Sequence, residues 1–145
     1  MRGEHKICIG PRTAETIKKE VGAALPQIDN PPQPYKVHGR DLVSGIPKEI
    51  TVTHEEIARA LDKSIQKIEA AVLNALENTP PELSADIYRP GIYLAGGGSL
   101  LRGLDKRISQ KTKLAVHVTE DPLHAVARGT NTALKNFNKF TFLIK

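Results

Sequence analysis

Apolar residues recur at intervals of four, four, three, four and four from Ile57 through Leu61, Ile65, Ile68, Val72 and Leu76. That period keeps them on one helical face and predicts a long amphipathic helix ending near Asn78. Its start is marked by Thr53 and Glu56, the Thr-x-x-Glu of a capping box. A shorter helix is predicted earlier, where Ala14, Ile17 and Val21 keep helical spacing, with Pro11 in the first turn and Gly22 as a C-terminal stop. The segment after it carries four prolines in ten residues, so the chain cannot continue as helix and becomes an ordered loop or lobe boundary.

From Tyr35 to Thr53 the pattern changes to β-branched residues in weak alternation, which predicts two short strands joined around Ser44 and Gly45. Pro47 restricts the second to a sheet edge or a late start. Thr79 and Glu82 repeat the capping-box spacing and predict a short helical turn through Leu83. Arg89 to Gly91 reads as a turn and residues 92–95 as a short buried strand. Leu100, Leu101, Leu104 and Ile108 then predict a helix, with Arg102, Lys106 and Arg107 facing elsewhere. Residues 114–118 form a further strand. Asp121 caps and Pro122 opens a last helix, whose one side carries Leu123, Val126, Ala127, Thr130, Leu134 and Phe137.

Between strand and helix stand Gly96, Gly97 and Gly98. Such a corner offers backbone N–H groups, bare Cα positions and the positive end of a helix together. It lacks the Gly-x-Gly-x-x-Gly spacing of dinucleotide folds and the Lys-Ser/Thr of a P-loop. Two readings stand: a seat for a ligand, or glycines that let helix and sheet pack closely.

Composition narrows the class. The 145 residues are 39% hydrophobic, enough for one sizeable core. A formal charge of +5 favours anionic partners, but 4% aromatics and no Trp argue against a stacking platform for single strands. Cys8 is the one cysteine, which excludes an internal disulfide and points to a reducing compartment. Between two apolar neighbours it reads as a small buried apolar residue rather than a nucleophile. No apolar run is long enough to span a membrane or act as a signal peptide, so a cytoplasmic location is expected. His117 and His124 lack ligand spacing, and no metal site is expected. Lys106, Arg107, Lys111 and Lys113 read as a solvated helix face and its exit. The terminal stretch with Phe137, Phe140, Phe142 and Ile144 reads as packed or disordered, with partner binding or membrane-surface contact as alternatives.

The stretch LAGGGSLLRGLDKRISQKTKLAVHVTEDPLHAVARGTNTALKN resembles the end of the bacterial actin MreB, the rod-shape-determining protein family. IGPRTAETIKKEVGAALP resembles that family's adenosine-contacting helix, and PPELSADIYRPGI also fits. The resemblance runs from about Ile7 to Asn136. It implies an α/β chain of the actin/Hsp70-type, ribonuclease H-like fold: a partial second large domain with an inserted smaller α+β lobe. The implied division is an outer lobe over 23–86, a nucleotide-facing base of 1–22 and 87–136, and a tail at 137–145.

The resemblance implies ATP or ADP with magnesium as cofactor. Glu15 and Lys18 would reach ribose and adenine, with Gly96, Gly97, Gly98, Ser99 and Leu100 under the adenine and α-phosphate. A carboxylate accepts from ribose hydroxyls, and a lysine stem lies along a base. The implied function is that of a cell-shape cytoskeletal protein contributing the adenosine side of an ATP site and filament contacts. Implied partners are actin-like subunits, either copies of itself or the full-length parent. Cell-shape membrane proteins at the inner face of the membrane follow through the parent filament, and no nucleic acid is expected. The family's phosphate-binding hairpins and catalytic carboxylate are not recognisable in this chain, so no independent enzymatic activity is expected. The alternatives are a stand-alone nucleotide-binding or filament-capping regulator, and a basic nucleic-acid-binding domain.

Overall fold

A computed structural model of the chain describes residues 3–139. The expectations for Phe140, Phe142 and Ile144 lie outside the described residues. Strand β1 (Ile7–Cys8) leads into α1 (Pro11–Val21), followed by β2 (Tyr35–Asp41), β3 (Pro47–Val52) and the long α2 (His54–Glu77). Then come α3 (Pro81–Tyr88), β4 (Ile92–Leu94), a 3-10 turn at Gly97–Leu100, α4 (Leu104–Thr112), β5 (Val116–Val118) and α5 (Ala125–Lys135). A second 3-10 turn covers Phe137–Lys139.

The first sheet is antiparallel in the order β1-β2-β3, with Ile7 opposite Asp41 and Tyr35 opposite Val52. Pro47 opens β3 at the sheet's edge, where its missing N–H leaves the ladder intact. Helix α1 lays Ile17 and Val21 against Val37, Val52 and Ile57, forming one apolar core. Gly22 ends α1 in an extended conformation (φ −65°, ψ 134°), not a left-handed one. Glycine is needed there for space, since an added Cβ would lie 2.0 Å from the Lys18 carbonyl oxygen.

The capping box of Thr53 and Glu56 forms as its spacing predicts. A helix of this length rises about 36 Å, enough to serve two cores. Its start packs on the first; further along, Ile65 joins Ala24, Leu104 and Ile108 in the second, and Leu61 lies against both. The second core supports a parallel pair, β4 and β5, connected through α4, with Ile92 beside Val116. Parallel strands need such a crossover.

Several expectations are corrected. Ile68 is exposed, and Glu69 is the buried residue on that part of α2. Helix α3 runs to Tyr88 and begins after Pro80; the Thr79 hydroxyl instead donates back to the Ala75 carbonyl at 2.7 Å, closing α2. β4 is half-exposed rather than buried, because among the described residues it has a single partner strand. Leu100 and Leu101 precede α4 instead of lying within it. Helix α5 starts at Ala125, with His124 rather than Asp121 at its cap position. Its apolar side is not core: Leu123, Val126, Leu134 and Phe137 are all exposed.

Arg107 is also corrected. It is not part of a solvated face but lies under α2, its side chain 14% exposed. Its guanidinium donates from Nε to Glu69 Oε1 at 2.6 Å, from Nη2 to Asp62 Oδ1 at 2.7 Å and from Nη1 to the Ala24 carbonyl at 2.9 Å. Three elements are fixed by one planar fork. The hydrogen bond with Glu69, and after it that with Asp62, raises the Arg107 pKa against the opposing effect of desolvation. Lys106 pairs with Asp29 instead.

Candidate functional site: a charged helix pair and a glycine turn

On α1, Lys18 Nζ lies 2.7 Å from Glu15 Oε2, one turn apart, and both side chains are half-exposed. The hydrogen bond from Lys18 is the main reason the Glu15 carboxyl stays below its ordinary value, aided by the charges of Lys18 and Lys19. Glu15 is therefore an ionised, acceptor-only group at neutral pH.

The glycine turn is held from within. Gly96 takes φ +79° and ψ 172°, a region essentially reserved for glycine. Its N–H donates to the Pro122 carbonyl at 2.8 Å, tying the turn to the segment that leads into α5. Its carbonyl accepts the Ser99 backbone N–H at 3.2 Å and the Ser99 hydroxyl at 2.7 Å. Ser99 is thus buried and closes the turn, whereas Leu100 is 56% exposed. An added Cβ at Gly96 or Gly98 meets nothing within 4 Å, and one at Gly97 meets only Leu123 Cδ2 at 3.4 Å. Close packing does not demand glycine at 96 or 98. The N–H groups of Gly97 and Gly98, first in the 3-10 turn, have no acceptor within it.

Arg102 joins this turn to α1. Its Nη1 donates to the Lys19 carbonyl at 3.2 Å and the Gly22 carbonyl at 3.4 Å, and its own carbonyl accepts the Ala24 N–H at 2.8 Å. A parallel bridge between Ala23 and Arg102 completes the seam. The end of the charged helix and the exit of the glycine turn are therefore neighbours. The sequence places Arg102 only on the polar side of a helix; its role at this seam leaves no local signal, since the contact spans 83 residues.

The residues test the implied cofactor unevenly. Open backbone at Gly97 and Gly98, with an ionised Glu15, suits the nucleoside end of a nucleotide. Residues 96–100 contain no carboxylate and Glu15 is engaged by Lys18, so these residues do not fit magnesium. Two concavities lie elsewhere. One of about 360 Å³ is lined by His38, Gly39, Arg40, Gly45 and Pro47, and one of about 210 Å³ by Pro26, Ala58, Arg59, Asp62 and Arg107. His117 stacks obliquely on Tyr93 with ring centroids 5.2 Å apart, and His124 pairs with Asp121 at 2.9 Å. Cys8 is half-buried in β1. No helix among the described residues is long and apolar enough to cross a membrane.

Comparison with known proteins agrees with the resemblance. The MreB/Mbl protein family matches residues 1–141. The chain is 44% identical over 139 residues to the cell shape-determining protein Mbl of Bacillus subtilis, covering 96% of this chain and 41% of that protein. It is 43% identical over 135 residues to the cell shape-determining protein MreB of Escherichia coli, covering 93% and 38%. The crystal structure of MreB5 of Spiroplasma citri bound to AMPPNP superposes with a TM-score of 0.88 at 40% identity, over 95% of this chain and 41% of that one. The ADP-bound form of the same protein gives the same values. MamK, bound to AMPPNP, shares the fold at a TM-score of 0.62 and 21% identity.

The chain thus spans about 41% of the length of the first of these relatives. This corrects the expectation that it is not an enzyme. The matching family is one of actin-like ATPases, and motifs unrecognised within so limited a span are no measure of the protein's activity. By its sequence over nearly its whole length, and by a partial actin-like α/β fold, the chain belongs to the MreB/Mbl family.

Proposed function

We propose that this protein is a subunit of a cell-shape-determining, actin-like cytoskeleton and seats an adenine nucleotide against α1 and the glycine turn. Glu15 accepts hydrogen bonds from the ribose hydroxyls, and the Lys18 stem lies along the base. Gly97 and Gly98 let the nucleoside and α-phosphate approach bare backbone, Leu100 adds an apolar edge, and Ser99 keeps the turn closed behind them. Gly96 supplies the conformation that turns the chain from β4 into this seat. When bound, the nucleotide supplies the hydrolysable phosphate chain; these residues supply orientation.

The observation that carries this reading is the Arg102 seam, which brings the exit of the glycine turn to the end of α1. The relatives' bound AMPPNP and ADP support the same ligand class. In this reading 23–86 is the outer lobe, 1–22 and 87–136 form the nucleotide-facing base, and 137–145 is the tail. Subunits associate head to tail, outer lobe to base, in a heterologous contact that does not close. Cell-shape proteins at the inner face of the membrane are the partners such a filament would engage.

Calorimetric titration with ADP tests the seat. Wild-type protein should bind, and Gly98→Ala should weaken binding at least ~5-fold at unchanged stability, because its Cβ enters the space the ligand needs. No heat in the wild type, or equal affinity in both, would overturn the reading. Sedimentation at rising protein concentration tests the association, which a constant monomer mass would contradict.

A further inference from the structure

Glu4, His5 and Glu56 each present one ligand atom, and the three atoms lie within 4.8 Å of one another. Glu56 is held by the α2 capping box: its Oε2 accepts the Thr53 N–H at 3.0 Å. Its Oε1 stands 3.2 Å from His5 Nε2. The His5 ring is 22% exposed, yet Nε2 itself is buried and makes no aligned hydrogen bond. A buried polar atom in that condition calls for a partner that the protein does not itself provide.

What stands between a ring nitrogen and a carboxylate oxygen at this distance must be positive. A hydrogen bond would need a near-linear path from Nε2 to Oε1, and the geometry does not offer one; a protonated His5 would pair with Glu56 by charge alone. A metal ion bonded to both atoms needs no such line. In a tetrahedral zinc site, ligand bonds of about 2.0–2.1 Å place neighbouring nitrogen and oxygen atoms about 3.3 Å apart. The observed 3.2 Å between His5 and Glu56 is that edge. Glu4 supplies a third atom, and its present cation, Arg59 Nε at 4.0 Å, is distant enough to be displaced.

We propose that Glu4, His5 and Glu56 form a divalent-metal site of the zinc type, with one imidazole nitrogen, two carboxylate oxygens and a fourth position for water. Two carboxylates and a neutral imidazole balance a charge of two. The imidazole selects zinc over magnesium and calcium, which take oxygen donors. The ion would fasten the segment before β1 to the first turn of α2, independently of any nucleotide.

Thermal unfolding in zinc chloride, with magnesium chloride as control, tests this on the wild type, His5→Ala and Glu4→Gln. Glu56 is left intact because it caps α2. Zinc should raise the wild-type Tm where magnesium does not, and each substitution should weaken the zinc affinity at least ~10-fold. Zinc held elsewhere, for instance by His38 with Glu49 or His124 with Asp121, would survive both substitutions. No zinc-dependent shift, or a shift retained in His5→Ala and Glu4→Gln, would overturn the proposal.

Discussion

Arg107 Nε and Glu69 Oε1 meet at 2.6 Å, between a side chain 14% exposed on α4 and one 11% exposed on α2. Both belong to elements that enclose the second apolar core, so the pair couples the crossover helix to the long helix. Removing one partner leaves the other's charge desolvated without compensation. Arg107→Met should therefore destabilise the chain by about 3 kcal/mol in urea unfolding. Arg107→Met combined with Glu69→Leu should recover most of that loss. A double variant as unstable as the single one would show that the charge pair is not what holds the two helices.

Gly96 makes a separate, purely conformational prediction. Its φ of +79° disfavours any side chain, while the space around its missing Cβ is open. Gly96→Ala should cost about 1–3 kcal/mol in thermal unfolding through backbone strain alone. Gly98→Ala, at an unstrained position, should change stability by less than ~0.5 kcal/mol. Equal effects would contradict the distinction between the two positions.

At the hairpin tip, Asp41 Oδ1 accepts the backbone N–H groups of Val43 at 2.8 Å and Ser44 at 2.9 Å, and Lys48 Nζ lies 3.2 Å from Oδ2. These bonds hold its carboxyl well below the usual carboxylate range, the Ser44 and Val43 backbone bonds contributing most. A depressed folded-state pKa gives stability that is complete above the unfolded value, near ~3.9, and is lost as pH falls toward the folded one. The stability difference between wild type and Asp41→Ala should thus be constant above about pH 5 and shrink below about pH 4. Urea midpoints across that range measure it, and a difference that grows in acid would reverse the sign.

The apolar side of α5 leads to a prediction of tolerance. Val126 is 74% exposed. Val126→Lys should alter the unfolding free energy of this chain by less than ~0.5 kcal/mol. A loss beyond ~1 kcal/mol would mean that the face is packed in solution.

Periodicity made α2 legible because its signal is local: one apolar stripe and one capping box four residues wide. The hairpin followed from Ser44, Gly45 and Pro47 for the same reason. In α5 the same kind of stripe proved exposed, since spacing states that a face wants a partner and not that the described chain supplies it. Arg107 was read as solvated because Lys106 and Lys111 surround it in sequence, while its partners Asp62 and Glu69 lie 45 and 38 residues away. At the candidate site the glycines and Glu15 with Lys18 were visible through the family resemblance. The inward turn of Ser99 and the Arg102 seam depend on tertiary packing, which no short motif encodes.

The central claim is that helix α1 and the glycine turn form one seat for an adenine nucleotide. Backbone amide NMR during ADP titration tests it most directly. Glu15, Lys18, Gly97, Gly98 and Leu100 should shift together along one saturable curve. Shifts confined to the concavity around His38 and Pro47, or to only one of the two segments, would contradict it.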